Sequence, residues 1–82
     1  MIAISPHAEE EMKKSGINKE EIEQCIGEGK LITKQIVKGK MRYGKRLDLK
    51  DRKIVVIYAI DKRGNEKVIT CYPIRRKKWW KG

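Results

Sequence analysis

Few side chains in this sequence could move a proton or hold a phosphate, and they fall in four places. His7 is the sole histidine, and imidazole is the commonest proton-transfer group in enzymes. Arg42 and Arg46 stand four apart around Gly44 in a β-rich segment. Guanidinium groups meet phosphate oxygens with paired hydrogen bonds, which lysine cannot do. Arg75, Arg76, Lys77, Lys78, Trp79 and Trp80 run consecutively near the end, a combination suited to phosphate contact plus stacking on exposed bases. Tyr72 adds a phenol that could donate a proton or stack on a base.

Together these groups fit phosphodiester chemistry on RNA. Attack by the neighbouring 2′-hydroxyl needs a proton acceptor, cations for the charge that develops on the phosphate, and a donor for the leaving oxygen. With one histidine, two-histidine chemistry is excluded within a single chain. Each group also has a plainer role. His7 can donate to a backbone carbonyl at a helix start, Arg42 and Arg46 can be solvated strand charges, and the tryptophans can fold back on the core. No metal site is expected, because Cys25, Cys71 and His7 lack close ligand spacing. No glycine-rich loop joins a strand to a helix, so no cofactor is expected either.

Charge points the same way. The 82 residues carry 21 Lys and Arg against 11 Asp and Glu, a net charge of +10, beyond what solubility asks of a small domain. Residues 1–29 hold seven acids and three bases, whereas residues 30–82 hold eighteen bases and four acids. The expected partners are therefore polyanions, RNA or the ribosome, or an acidic protein, and a homodimer is left open. Neither an apolar leader nor a run of the roughly 18 to 20 apolar residues that span a bilayer is present. The expectation is a cytoplasmic protein with no membrane partner and two buried thiols.

The elements that must position these groups follow from period and punctuation. Ser5-Pro6 reads as an N-cap and first helical residue, with Gly16 as the stop. Asn18 and Glu21 have capping-box spacing, Ile17 and Ile22 that of a hydrophobic staple. The second helix should bury Ile22, Cys25 and Ile26 and end near Gly27 or Gly29. From residue 30 the period becomes two, predicting strands near 31–38, 41–49, 54–60 and 67–73.

A two-residue loop at Gly39-Lys40 sets Ile32, Ile36, Met41, Tyr43 and Leu47 on the helix-packed face. Thr33, Gln35, Arg42, Gly44, Arg46 and Asp48 fall on the other, where Gly44 would leave room for a phosphate. The segment 54–60 is apolar on both faces and should be central. A loop at 62–64 pairs Asp61 with Asn65, and an uninterrupted register then sets Tyr72 opposite Ile54, on the core face. The expected fold is α+β: two N-terminal helices on one face of a four-stranded antiparallel meander. A single domain should cover residues 1–74, with a basic, Trp-containing tail at 75–82.

The stretch Ser5-Pro6-His7-Ala8, Met12 and Ser15-Gly16-Ile17-Asn18 resembles the "His-Ala, Arg-Met, Arg-Gly-Ile-Ser" opening of a family of small prokaryotic domains of unknown function. Val68-Ile69-Thr70-Cys71-Tyr72-Pro73 resembles that family's closing strand. The chain departs from the pattern at Glu11 and Ser15, where the family usually has arginine. That family is similar in outline to the BrnT and RelE toxins, basic α+β domains that cleave messenger RNA and are held inactive by an antitoxin. The resemblance implies a RelE-like fold, endoribonuclease activity without a metal, and an acidic antitoxin partner. His7, Arg46 and Tyr72 would be the catalytic candidates, and Arg42, Arg46 and residues 75–80 the phosphate and base contacts. The alternatives are a non-catalytic RNA-binding or ribosome-associated module and a protein that binds an acidic partner.

Overall fold

The computed structural model describes residues 2–50 and 52–74. Both helix starts are made by side chains. Helix α1 spans Pro6–Ser15; the Ser5 hydroxyl accepts from Ala8 N–H at 3.1 Å, and Gly16 closes the helix in the left-handed region at φ 67°. Helix α2 spans Lys19–Glu28, and its capping box is complete. Glu21 N–H donates to Asn18 Oδ1 at 2.8 Å, and Asn18 N–H donates to Glu21 Oε1 at 3.0 Å. Ile17 and Ile22, the staple pair, are both buried. Of the two predicted stops Gly29 is the one used. A Cβ there would collide with the Cys25 carbonyl and lie 2.9 Å from the Arg46 carbonyl oxygen, so at Gly29 the helix end approaches the β3 backbone too closely for a side chain.

Five strands form one sheet: β1 Ile2–Ile4, β2 Lys30–Val37, β3 Lys40–Asp48, β4 Lys53–Ile60 and β5 Glu66–Ile74, in the order β1-β5-β4-β3-β2. The α+β class and the two helices agree with expectation, but the four-stranded antiparallel sheet and the RelE-like architecture do not. The overlooked element is β1, which pairs parallel to β5 with Ile2 opposite Glu66 and Ile4 opposite Val68, making the sheet mixed. Three residues are too few to show a period, and their pairing partner lies more than sixty positions away.

α1 packs on β5, and α2 packs on β3 and β4. The core between the layers is Ala8, Ile17, Ile22, Cys25, Ile26, Leu47, Ile54, Val56, Tyr58, Val68 and Cys71. Fully burying one such aliphatic side chain contributes about 1.5 to 3 kcal/mol. β4 is central, as its apolar run predicts. Arg52 ties the β3–β4 connection to the helices: its Nη2 donates to Glu21 Oε1 and Oε2 at 2.9 and 2.8 Å and to the Gly16 carbonyl at 3.2 Å. Among the described residues no helix is long and apolar enough to cross a membrane.

Candidate nucleic-acid interface

The face of the sheet turned away from the helices carries the charge. The hairpin turn falls at Lys38-Gly39, with φ 52° and 77°, the positive-φ pair of a type I′ turn, and Val37 pairs with Lys40. The predicted loop lay one residue later, which shifts the pairing by two positions and leaves every β3 side chain on its expected face. Arg42, Gly44, Arg46 and Asp48 of β3 thus share the open face with Lys40, and Lys53, Val55, Ile57 and Ala59 of β4 join them through the register. Lys30 lies opposite Arg46, and Lys67 lies opposite Ala59. Among the described strand residues, six cations therefore stand on this face against the single carboxylate of Asp48.

Tyr72 also belongs here. A one-residue bulge at Ile69 lets Tyr58 pair with Val68 while Ile57 pairs with Thr70, so Tyr72 pairs with Val55 and not with Ile54. The expected core position is corrected: Tyr72 is 44% exposed and stands on the open face. The cause is not local. The Ser5 hydroxyl that caps α1 donates to the Ile69 carbonyl at 3.0 Å, and Ser5 N–H donates to the Val68 carbonyl at 3.0 Å. The bulge is thus held by the segment that links β1 to α1.

Lys30, Arg46, Val55 and Tyr72 form one row across four strands. Two strand spacings put the Arg46 and Tyr72 backbones about 10 Å apart. Val55, between them, is fully buried although it lies outside the helix-side cluster. The Arg46 side chain is 32% exposed, with Nε 3.2 Å from Asp48 Oδ1. That approach lacks hydrogen-bonding angles, and Nε is buried with no hydrogen-bond partner among the described residues. A guanidinium so held is oriented by a neighbouring charge and retains unused donor capacity.

The space expected above Gly44 is filled. A Cβ on this residue would collide with Thr33 Cγ2 and lie 2.8 Å from Ile57 Cδ1, so side chains and not a phosphate take the gap. Arg42 pairs with Ala59, two residues from Gly44 along β3, and is partly buried. His7 is exposed on the first turn of α1, in the helical layer and across the sheet from the Arg46 and Tyr72 row. Arg75, Arg76, Lys77, Lys78, Trp79 and Trp80 lie outside the described residues. Lys30, Lys40, Lys53 and Lys67 were overlooked as site residues, although alternation along each strand was a signal that could have found three of them.

The thiols serve the core. Burial pushes Cys25 up to about 11, against a weaker opposing effect of the backbone hydrogen bond at Val56 and the nearby Lys45 ammonium. Cys71 is likewise raised, first by burial and then by Glu11. Among the described residues no group of three or more His, Cys, Asp or Glu is placed to hold a metal.

No curated protein and no solved structure matches the chain. A family model described as a domain of unknown function, DUF4258, matches residues 4–73, from the end of β1 to the penultimate residue of β5. The chain belongs to the DUF4258 family.

Proposed function

We propose that the chain is a cytoplasmic RNA-binding protein of the toxin type, whose open sheet face holds single-stranded RNA and cleaves it without a metal. The observation that carries the reading is the row joining Arg46 to Tyr72, with five more cations on the same face. An aromatic side chain on a basic sheet face is a common way to stack and retain an unpaired base. In this reading Arg46 and Arg42 contact phosphate oxygens, and Arg46 stabilises the charge that builds on the non-bridging oxygens as the 2′-oxygen attacks phosphorus, the P–O5′ bond breaks and the 2′-hydroxyl proton passes to water. Tyr72 stacks on a base or donates a proton to the leaving oxygen. The tail from Arg75 to Trp80 extends the same contacts, and the ribosome or an acidic antitoxin is the further partner. A second reading, RNA binding without cleavage, is favoured by one observation: His7 lies in the opposite layer.

Two measurements test this. Each phosphate neutralised on a single strand adds about 0.7 to the fall of log affinity against log salt. Replacing Arg42 and Arg46 with Gln should flatten the slope by about 1.4, whereas replacing Lys13 and Lys14 on α1 should leave it unchanged; equal effects from both pairs would refute the assigned face. Cleavage is then followed on free RNA and on translating ribosomes. Arg46→Ala should lose about 100-fold in cleavage, the scale of a lost preorganised donor, and Tyr72→Phe should separate proton donation from stacking. If His7→Ala alone abolishes cleavage with normal stability, the open face is not the catalytic centre. Tight binding with no cleavage in either format leaves the binding module as the function.

A further inference from the structure

A second surface lies at the opposite side of the hairpin from the open face. Among the described residues β2 is an edge strand, with β3 on one side and no strand on the other, so half of its backbone donors and acceptors face outward over eight residues. The helices pack on β3, β4 and β5, and Leu31, Ile32 and Ile36 remain 49, 45 and 71% exposed. Proteins usually blunt such an edge with shortness, charge or cover. Here the blunting is by lysine and by the irregularity between Leu31 and Thr33. Lys30, Lys34 and Lys38 are exposed along the same strand and its turn, and Lys34 Nζ sits 6.0 Å from the centre of the Tyr43 ring.

The lysines decide which occupant fits. An antiparallel pairing of two β2 strands that set Ile32 against Ile36 would put Lys34 opposite Lys34. The pairing that set Ile36 against itself would bring Lys34 beside the turn that carries Lys38 in the other copy. Like charges directly opposite are destabilising in a sheet, so the edge rejects its own copy. The same lysines favour a strand that carries carboxylates between apolar residues, since opposite charges across strands attract and main-chain hydrogen bonds supply affinity. We infer that the β2 edge is a docking strand for an extended acidic segment of a partner protein, one that alternates acidic and apolar residues and adds a sixth strand to the sheet. This surface shares Lys30 with the open face, but the inference does not rest on the RNA reading.

The test uses the full chain and three synthetic octapeptides: alternating Glu and Val, alternating Glu and Ser, and alternating Lys and Val. Backbone amide shifts and amide exchange locate binding. The Glu-Val peptide should bind saturably, with shifts and new protection centred on residues 30–37. Lys34→Glu and Ile36→Ser should each weaken it at least tenfold. Both side chains are exposed, and unchanged far-ultraviolet dichroism with an unchanged urea midpoint confirms the fold; Leu31→Ser serves if either variant fails this check. Arg42→Gln and Arg46→Gln should leave peptide binding within twofold. The inference is overturned if the Glu-Ser peptide binds as well as Glu-Val, if the shifts map to the open face, if no peptide binds, or if sedimentation shows a dimer that Ile36→Ser dissolves.

Discussion

Glu21 holds two structural duties at once, and they can be separated by substitution. Its carboxylate accepts from Asn18 N–H at 3.0 Å to complete the α2 cap, and it receives Arg52 Nη2 at 2.9 and 2.8 Å. The two side chains of the ion pair are 20% and 18% exposed. Exposed pairs contribute about 0.2 to 1 kcal/mol, while removing one partner of a fully buried pair costs about 3 to 5 kcal/mol. This pair is mostly shielded but keeps some access to water, so an intermediate cost of about 2 kcal/mol is expected for Glu21→Gln. The amide oxygen of Gln still serves the cap. Glu21→Ala loses both and should cost about 0.5 to 1 kcal/mol more. With a urea slope of about 1 kcal/mol per molar for a domain of this size, the midpoint should fall by about 2 M for Gln and nearer 3 M for Ala.

Removing an acid from a chain of net charge +10 also raises general repulsion, so the urea series is repeated at about 1 M salt, where the screening length is about 3 Å. The loss should persist there. Arg52→Met completes a double-mutant cycle, with an expected coupling of about 1 to 2 kcal/mol. Additive single losses, or a Gln variant within 0.5 kcal/mol of the parent by the scale of ordinary surface changes, would refute the linkage between the β3–β4 connection and α2.

Ser5→Ala removes both the α1 cap and the donor to the Ile69 carbonyl; it should cost about 1 to 2 kcal/mol in urea unfolding and weaken RNA binding through Tyr72, and a variant with parental stability would contradict the dual role. Gly29→Ala should destabilise by about 1 to 3 kcal/mol, because both atoms it meets are backbone carbonyl oxygens, whereas Gly44→Ala meets only side chains and should cost less; the reverse order in thermal melts would be a clear contradiction. Cys25 is protonated more tightly in the folded chain than in the unfolded one, so its contribution to stability is complete below about 9 and is lost as the pH rises through about 11. Cys25→Ala should flatten that alkaline decline, and native protein at neutral pH should resist thiol alkylation until urea exposes both cysteines.

How much of this was legible depended on how local the cause was. The caps at Ser5 and Asn18 and the staple of Ile17 and Ile22 lie within a few residues of what they organise, so spacing alone revealed them. The faces of β3 and β4 were legible even though the turn was placed one residue late, because a shift of two in pairing preserves alternation. Tyr72 was misassigned because the Ile69 bulge depends on Ser5, distant in sequence. Ile32 lost its place by a similar irregularity between Leu31 and Thr33. Lys30 joined the site only through the same irregularity, which turns it to the face of Arg46.

The parallel pairing of β1 with β5 has a kinetic side. β2, β3, β4 and β5 are joined by short turns, and their hairpins can close as soon as each turn is made, at little loop-closure cost. β1 must wait: Ile4 meets Val68, so the first of these five strands to be synthesised is satisfied only after the last of them has been made. Until then Ile2 and Ile4 remain exposed beside a sheet whose β5 edge is open. Folding should therefore run with β1 docking late, the meander forming the nucleus, and the slowest native contacts of the molecule being those that also hold Ser5 to the Ile69 bulge.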